Sequence, residues 1–206
     1  MFLALVRNRS RSTDSGPQTI SPADPRRPDE LTLGELIAED FATHDRKLTE
    51  PGFWAVALHR LGARIDALEP PLARRPLELS HRIASTAFDW IWGIKVPRTT
   101  HLGRRVRVWH NGSILLDARS IGNDVQIRHD TTFGPARAGD GASPEARPVI
   151  EDGADIGSGA CVLGPVTVGR GATVGANTVV LEAVAPGARV LGVPARVVPD
   201  WIARKK

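Results

Sequence analysis

Six histidines are the side chains of this 206-residue chain best suited to moving a proton near neutral pH. His44, His59 and His81 lie in helically patterned sequence, and His101 directly precedes the apolar Leu102. Packing or surface roles are the expectation for these four, because an isolated histidine is weak evidence of chemistry. His110 and His129 stand instead in "VRVWHNGSILL" and "IRHDTTFG", within a repeat set out below. The single cysteine, Cys161, cannot form an internal disulfide, and no neighbouring Cys or clustered His gives it metal-ligand spacing. It reads as structural, and no metal is expected. Lys and Arg number 27 against 23 Asp and Glu, for a net charge of +4 and a pI near 10.0. These cations are scattered rather than gathered on one face. That speaks against nucleic acid and leaves a phosphate-rich small molecule or a plain basic surface.

The elements that hold these residues follow an unusual period. Branched or large apolar residues recur every six positions at Ile150, Ile156, Val162, Val168, Val174 and Val180. Four places after each stands a small or apolar partner: Ala154, Ala160, Val166, Ala172, Thr178 and Val184. Upstream the series reads Val96, Leu102, Val108 and Ile114, slips by one, and resumes at Ile121, Ile127 and Phe133. A helix needs apolar spacing near 3.6 and a half-buried strand near 2. A period of six with glycines between is the mark of hexapeptide β-helix coils, three short strands to a turn. Gly and Asn at the corners supply backbone conformations that other residues adopt at a cost.

Around this β-helix, expected over residues 94–198, the chain divides further. Residues 1–30 are Ser-, Pro- and Arg-rich and are expected to be disordered. A helical region follows over residues 31–93. Thr32 and Glu35 form a capping box ahead of Leu33, Ile37 and Phe41. A second helix is expected over Pro51–Glu69 with Trp54, Leu58, Leu61, Ile65 and Leu68 on its buried stripe. A third runs over residues 72–92. Period six fails in "GPARAGDGASPEARP", residues 134–148, which reads as a loop extruded from the solenoid. Residues 199–206 form a short basic tail. No apolar run is long enough to span a bilayer, and "MFLALV" is too short for a signal-peptide core, so a cytoplasmic location is expected.

This order of features resembles the serine acetyltransferase-like branch of the hexapeptide acyltransferases. It comprises a helical preface, hexapeptide coils, one extruded loop and a Gly-Val-Pro-Ala-Arg ending at residues 192–196. The resemblance covers about residues 32–198. It implies a left-handed parallel β-helix, a homotrimer and acetyl-CoA bound in the cleft between adjacent coils, one wall of it from each subunit. It also implies site residues. His110 matches the family's general base, and His129, on a later coil as cleft lining or a solvent corner, is the second catalytic candidate. Gly134, Ala160 and Ala176 are implied for the backbone that meets the pantetheine arm, and Arg196 for the phosphates. Arg170, Arg204, Lys205 and Lys206 are weaker phosphate candidates.

Four positions in three segments depart from serine acetyltransferases. Trp109 stands where an Asp precedes the catalytic His. Ala146-Arg147-Pro148 replaces an Arg-His-Pro, and Lys95 replaces the Asp that supports the base. Serine is a zwitterion, and Trp109 offers its ammonium no anion, although Arg147 could grasp a carboxylate. A tryptophan beside the base suits the apolar face of a sugar ring. "VPRTTHLGRRVRVWHNG" with "RPVIEDGADIG" further resembles the O-acetyltransferases of capsular and exopolysaccharide pathways. The expectation is therefore an acetyl-CoA-dependent O-acetyltransferase acting on a saccharide hydroxyl, with serine a poor acceptor. Serine O-acetylation in cysteine biosynthesis is the alternative, and an inactive β-helix scaffold the third reading.

Overall fold

The structure is a computed structural model that describes residues 26–69, 71–137, 139 and 143–199. Most of the expected disordered segment, residues 1–25, lies outside the described residues. So does all but the first residue of the basic tail, Arg204, Lys205 and Lys206 included. Residues 26–30 are ordered, contrary to expectation. Pro28–Glu30 forms a single 3-10 turn, and Arg104 donates a 2.6 Å hydrogen bond to the Arg26 carbonyl.

Three helices, α1 (Leu33–Thr43), α2 (Pro51–Asp66) and α3 (Pro71–Trp92), precede the coils. Thr32 caps α1 as its sequence requires. The Glu35 amide donates to Thr32 Oγ1 at 3.2 Å, and the Thr32 amide donates back to Glu35 Oε2 at 2.8 Å. The face that α1 buries carries Leu36 and Asp40, while Leu33, Ile37 and Phe41 flank it half-buried. A charge pair turns the helix this way. Asp40 meets Arg60 at 3.1 Å, and Arg60 donates to the carbonyls of Leu102 and Gly103 at 2.7 and 2.5 Å. Both helices are thereby tied to the first coil.

The expected buried stripe of α2 is also displaced. Trp54, Leu61 and Leu68 are each more than 40% exposed, and Ile65 alone of that stripe is fully buried. The buried face carries Phe53, Val56, His59 and Arg60 together with small residues, and at Gly52 the helix approaches the coil backbone too closely for any side chain. A Cβ on Gly52 would lie 2.1 Å from the Val108 carbonyl oxygen. His44 follows α1 and is buried against the same strand. Its Nδ1 bonds the Asp40 carbonyl at 2.7 Å, and its Nε2 accepts from the Val108 amide at 3.2 Å. Both bonds are made together only by the neutral ring with its proton on Nδ1.

From Ile94 onward the chain winds into a parallel β-helix with three faces. The first face stacks Ile94–Lys95, Ile114–Leu116, Thr132–Gly134, Cys161–Leu163 and Val179–Val180. The second stacks His101–Leu102, Ser120–Ile121, Val149–Ile150 and Thr167–Val168. The third stacks Arg107–Val108, Gln126–Ile127, Asp155–Ile156, Thr173–Val174 and Arg189–Leu191. The hexapeptide residues fill the prism, with Ile127, Phe133, Ile156, Val162, Val168 and Val180 all at 0% exposure. The last strand, Arg196–Val197, folds back antiparallel on Arg189–Leu191.

The slip in the repeat lies elsewhere than the sequence suggests. Val108 pairs with Ile127, and Leu116, not Ile114, pairs with Phe133. Eight positions from Val108 to Leu116 therefore span a corner that six positions, Ile127 to Phe133, span one coil later. Ile114 instead belongs to the column of small partners, in register with Thr131, which explains the misplacement. The corner lengthened by two residues is the one that carries His110.

Candidate active site

The long corner joins the third face to the first. His110 occupies it with φ +67, a left-handed conformation uncommon for a residue with a Cβ, and its side chain is exposed. The ladder that aligns Val108 with Ile127 carries His110 to the level of His129 on the next coil. Their ring centroids are 5.8 Å apart at 64°, an edge-to-face arrangement. The His129 Nδ1 is buried and has no hydrogen-bond partner among the described residues. Asp130, next in the chain, accepts a 3.2 Å hydrogen bond at Oδ1 from the Ser113 amide. Gly112 (φ +139) lies over this pair, where a Cβ would meet Asp130 Oδ1 at 3.0 Å and His129 Cβ at 3.5 Å. An imidazole held on an open corner can take a proton from a hydroxyl brought to it.

Trp109 is fixed beside His110. Its indole N–H donates to Gln126 Oε1 at 2.8 Å, and the Arg107 guanidinium stacks 3.5 Å from its ring centroid. Arg107 is anchored in turn by Asp45. One face of the indole is therefore already covered.

The implied cofactor residues separate into two sets. Successive pairings of Ile127, Ile156 and Val174 place His129, Ser158 and Ala176 in one column below His110. Ala176 lies three coil steps from His110, about 14 Å at the usual strand spacing. Ala160 directly precedes the strand Cys161–Leu163 at this corner, with its side chain buried in the prism and its carbonyl accepting from the Thr132 amide. Arg196 stands exposed on the fold-back strand at the foot of the coils. Gly134 and Arg147 lie at a different corner, where the loop leaves between the first and second faces. Arg147 pairs with Asp117 at 2.8 Å, the two side chains 12% and 20% exposed. Lys95 is exposed on the first face. Among the described residues no group of His, Cys, Asp and Glu could hold a metal, and Cys161 is a free thiol.

Asp117, Gln126 and Asp130 were not singled out from the sequence. Each acts on a residue 17 or 30 positions away on another coil. Asp130 alone left a local trace, a polar residue at a corner directly after His129.

No protein-family model matches the chain. It is 40% identical over 193 residues to the serine acetyltransferase of Escherichia coli strain K12, an alignment covering 82% of this chain and 69% of that protein. This chain belongs to the serine acetyltransferase family. The serine acetyltransferase of Bacillus licheniformis is 36% identical over 153 residues, covering 73% of this chain and 66% of that protein. The chain thus spans about two thirds of the length of these relatives. The fold likeness extends to serine acetyltransferase from Brucella abortus in complex with coenzyme A, with TM-score 0.67, 24% identity, and 80% of this chain and 67% of that one covered. The coils are those of the family's left-handed parallel β-helix.

These likenesses overturn the expected saccharide acceptor. The named relatives and the structural neighbour are serine acetyltransferases, and the closer kinship to exopolysaccharide O-acetyltransferases has no support among them. The reading that serine would be a poor acceptor falls with it. It weighed the change at Trp109 above the rest of the chain. The Arg107 guanidinium takes one of the two indole faces that a sugar ring could have used. Among the described residues no helix is long and apolar enough to cross a membrane.

Proposed function

We propose that the protein transfers the acetyl group of acetyl-CoA to the side-chain hydroxyl of L-serine. The observation that carries this reading is the 40% identity to a serine acetyltransferase over 82% of the chain. In the reaction His110 accepts the hydroxyl proton while the serine oxygen bonds the thioester carbonyl carbon. The tetrahedral intermediate then expels the CoA sulfur, which receives the proton from His110. The products are O-acetylserine and CoA thiol.

Binding follows the geometry of the two corners. The backbone at Ala160 and Ala176 lines the path from His110 toward Arg196, where paired guanidinium donors suit phosphate. Gly134 and Arg147 belong to the loop corner, with Arg147 the cation for the serine carboxylate. Because one chain holds these groups on different corners, a site that uses both is assembled from two chains, and the working form is a homotrimer. Acetyl-CoA as donor is supported by the coenzyme A complex of the structural neighbour.

The test is thiol release from acetyl-CoA with millimolar L-serine. The wild-type chain turns over, and His110→Ala lowers kcat by about 10²–10⁴-fold with acetyl-CoA affinity retained. Absence of serine-dependent thiol release from the folded wild-type chain, or near-native kcat in the His110 variant, would sink the assignment.

A further inference from the structure

We propose that His129 and Asp130 together position the His110 imidazole, replacing a supporting carboxylate that this chain lacks. The inference rests on the reading of His110 as the base. The family resemblance expects an Asp at Lys95, and an ammonium there cannot accept a proton from an imidazole N–H. A base without a fixed orientation loses much of its advantage, since small misplacements are costly. Some other contact must hold the ring, and the long corner shows which one.

The corner carries two residues more than its counterpart on the next coil, so the ladder does not by itself fix residues 110–113. The Gly112 amide donates to the Trp92 carbonyl at the end of α3 at 3.3 Å, and the remaining support comes from the coil below. Asp130 pins the far end of the segment through the Ser113 amide at 3.2 Å. Gly112 lets the backbone settle onto the Asp130 carboxylate, where even a Cβ would be crowded at 3.0 Å. The near end is braced by the His129 ring, edge-to-face with His110 at 5.8 Å. His129 is itself braced from within, because the parallel ladder sets its level and its Nδ1 side is buried. The carboxylate therefore holds the loop and the ring holds the ring. Both are positioning residues and need not touch either substrate.

Conservative variants separate this role from general disruption. His129→Ala and Asp130→Ala lower kcat roughly ten- to a hundredfold, with KM for serine and acetyl-CoA little changed and thermal unfolding near that of the wild type. Asp130→Asn keeps an oxygen to accept from Ser113, and His129→Phe keeps a ring edge, so both retain most of the activity. In parallel, ¹⁵N-histidine NMR follows the His110 ring. Its nitrogen resonances move toward those of a free imidazole in the two alanine variants. They stay in place in Asp130→Asn and in His129→Phe. Unchanged kcat in both alanine variants, or unchanged His110 resonances, overturns the proposal. So does loss of activity in His129→Phe equal to that in His129→Ala. If an alanine variant does not fold, His129→Leu, which fills much of the same volume without a ring, replaces it with the same expectation. If the wild-type chain releases no thiol with serine, the acceptor assignment fails while the NMR comparison still decides the positioning role.

Discussion

At the scale of single residues, Arg147 is the position where this chain most plainly rewrites its family's pattern. An Arg stands where the resembled loop carries His, and its guanidinium is already set by Asp117 at 2.8 Å in a largely buried pair. A pre-oriented guanidinium suits a carboxylate through paired donors. With serine as the proposed acceptor, the carboxylate persists throughout the reaction, so a contact from Arg147 would act equally on ground and transition states. Arg147→Ala should raise KM for serine by about tenfold or more while kcat changes little. Asp117→Asn in the same background tests whether an orphaned carboxylate contributes to the loss. An unaltered KM in steady-state assays of Arg147→Ala would remove Arg147 from the acceptor site.

At the scale of elements, the docking of α1 and α2 on the first coil depends on neutral histidines. Burial lowers the pKa of His59 to about 4 and shifts His44 in the same direction. Between about 6.5 and 4 the unfolded chain binds a proton at His59 that the folded chain does not. Stability therefore falls as pH drops through that window, by about 3 kcal/mol for His59 once below it, and is fully present above about 6.5. Urea unfolding at a series of pH values should show this slope, flattened in His59→Gln. Parallel curves for the two proteins would exclude it. The way these helices dock was only partly legible in the sequence. The capping box at Thr32 and the approximate helix limits were, because both are local. The buried faces were not, because Asp40–Arg60 and Gly52 anchor them, and a count of apolar residues passes over a charge pair and a glycine. The prism was legible as far as its ladder is regular. At the long corner Ile114 keeps period six while pairing places Leu116 in the column, a distinction only the neighbouring coil can make. His110 was singled out through its family motif, and the long corner that exposes it was not foreseen. Nor were Asp130 and Asp117, since their contacts join separate coils.

At the scale of the whole molecule, the division of site residues between two corners carries the assembly prediction. Light scattering should give three times the 22.2 kDa chain mass, and activity should fall on dilution as that species is lost. A fully active monomer would count against it. The two ends of the coil bear on a different kind of association. A parallel β-helix has no intrinsic stopping point. Its last rung shows unpaired amides and carbonyls that would template another rung from any compatible strand. Here α2 lies across the first coil at Gly52, and Arg196–Val197 turns back antiparallel against the final strand. The reversal matters because a strand of opposite direction interrupts the parallel register on which another turn would pair. The residues that cover the two ends of the coils thus also oppose the open-ended stacking by which a fibre would grow.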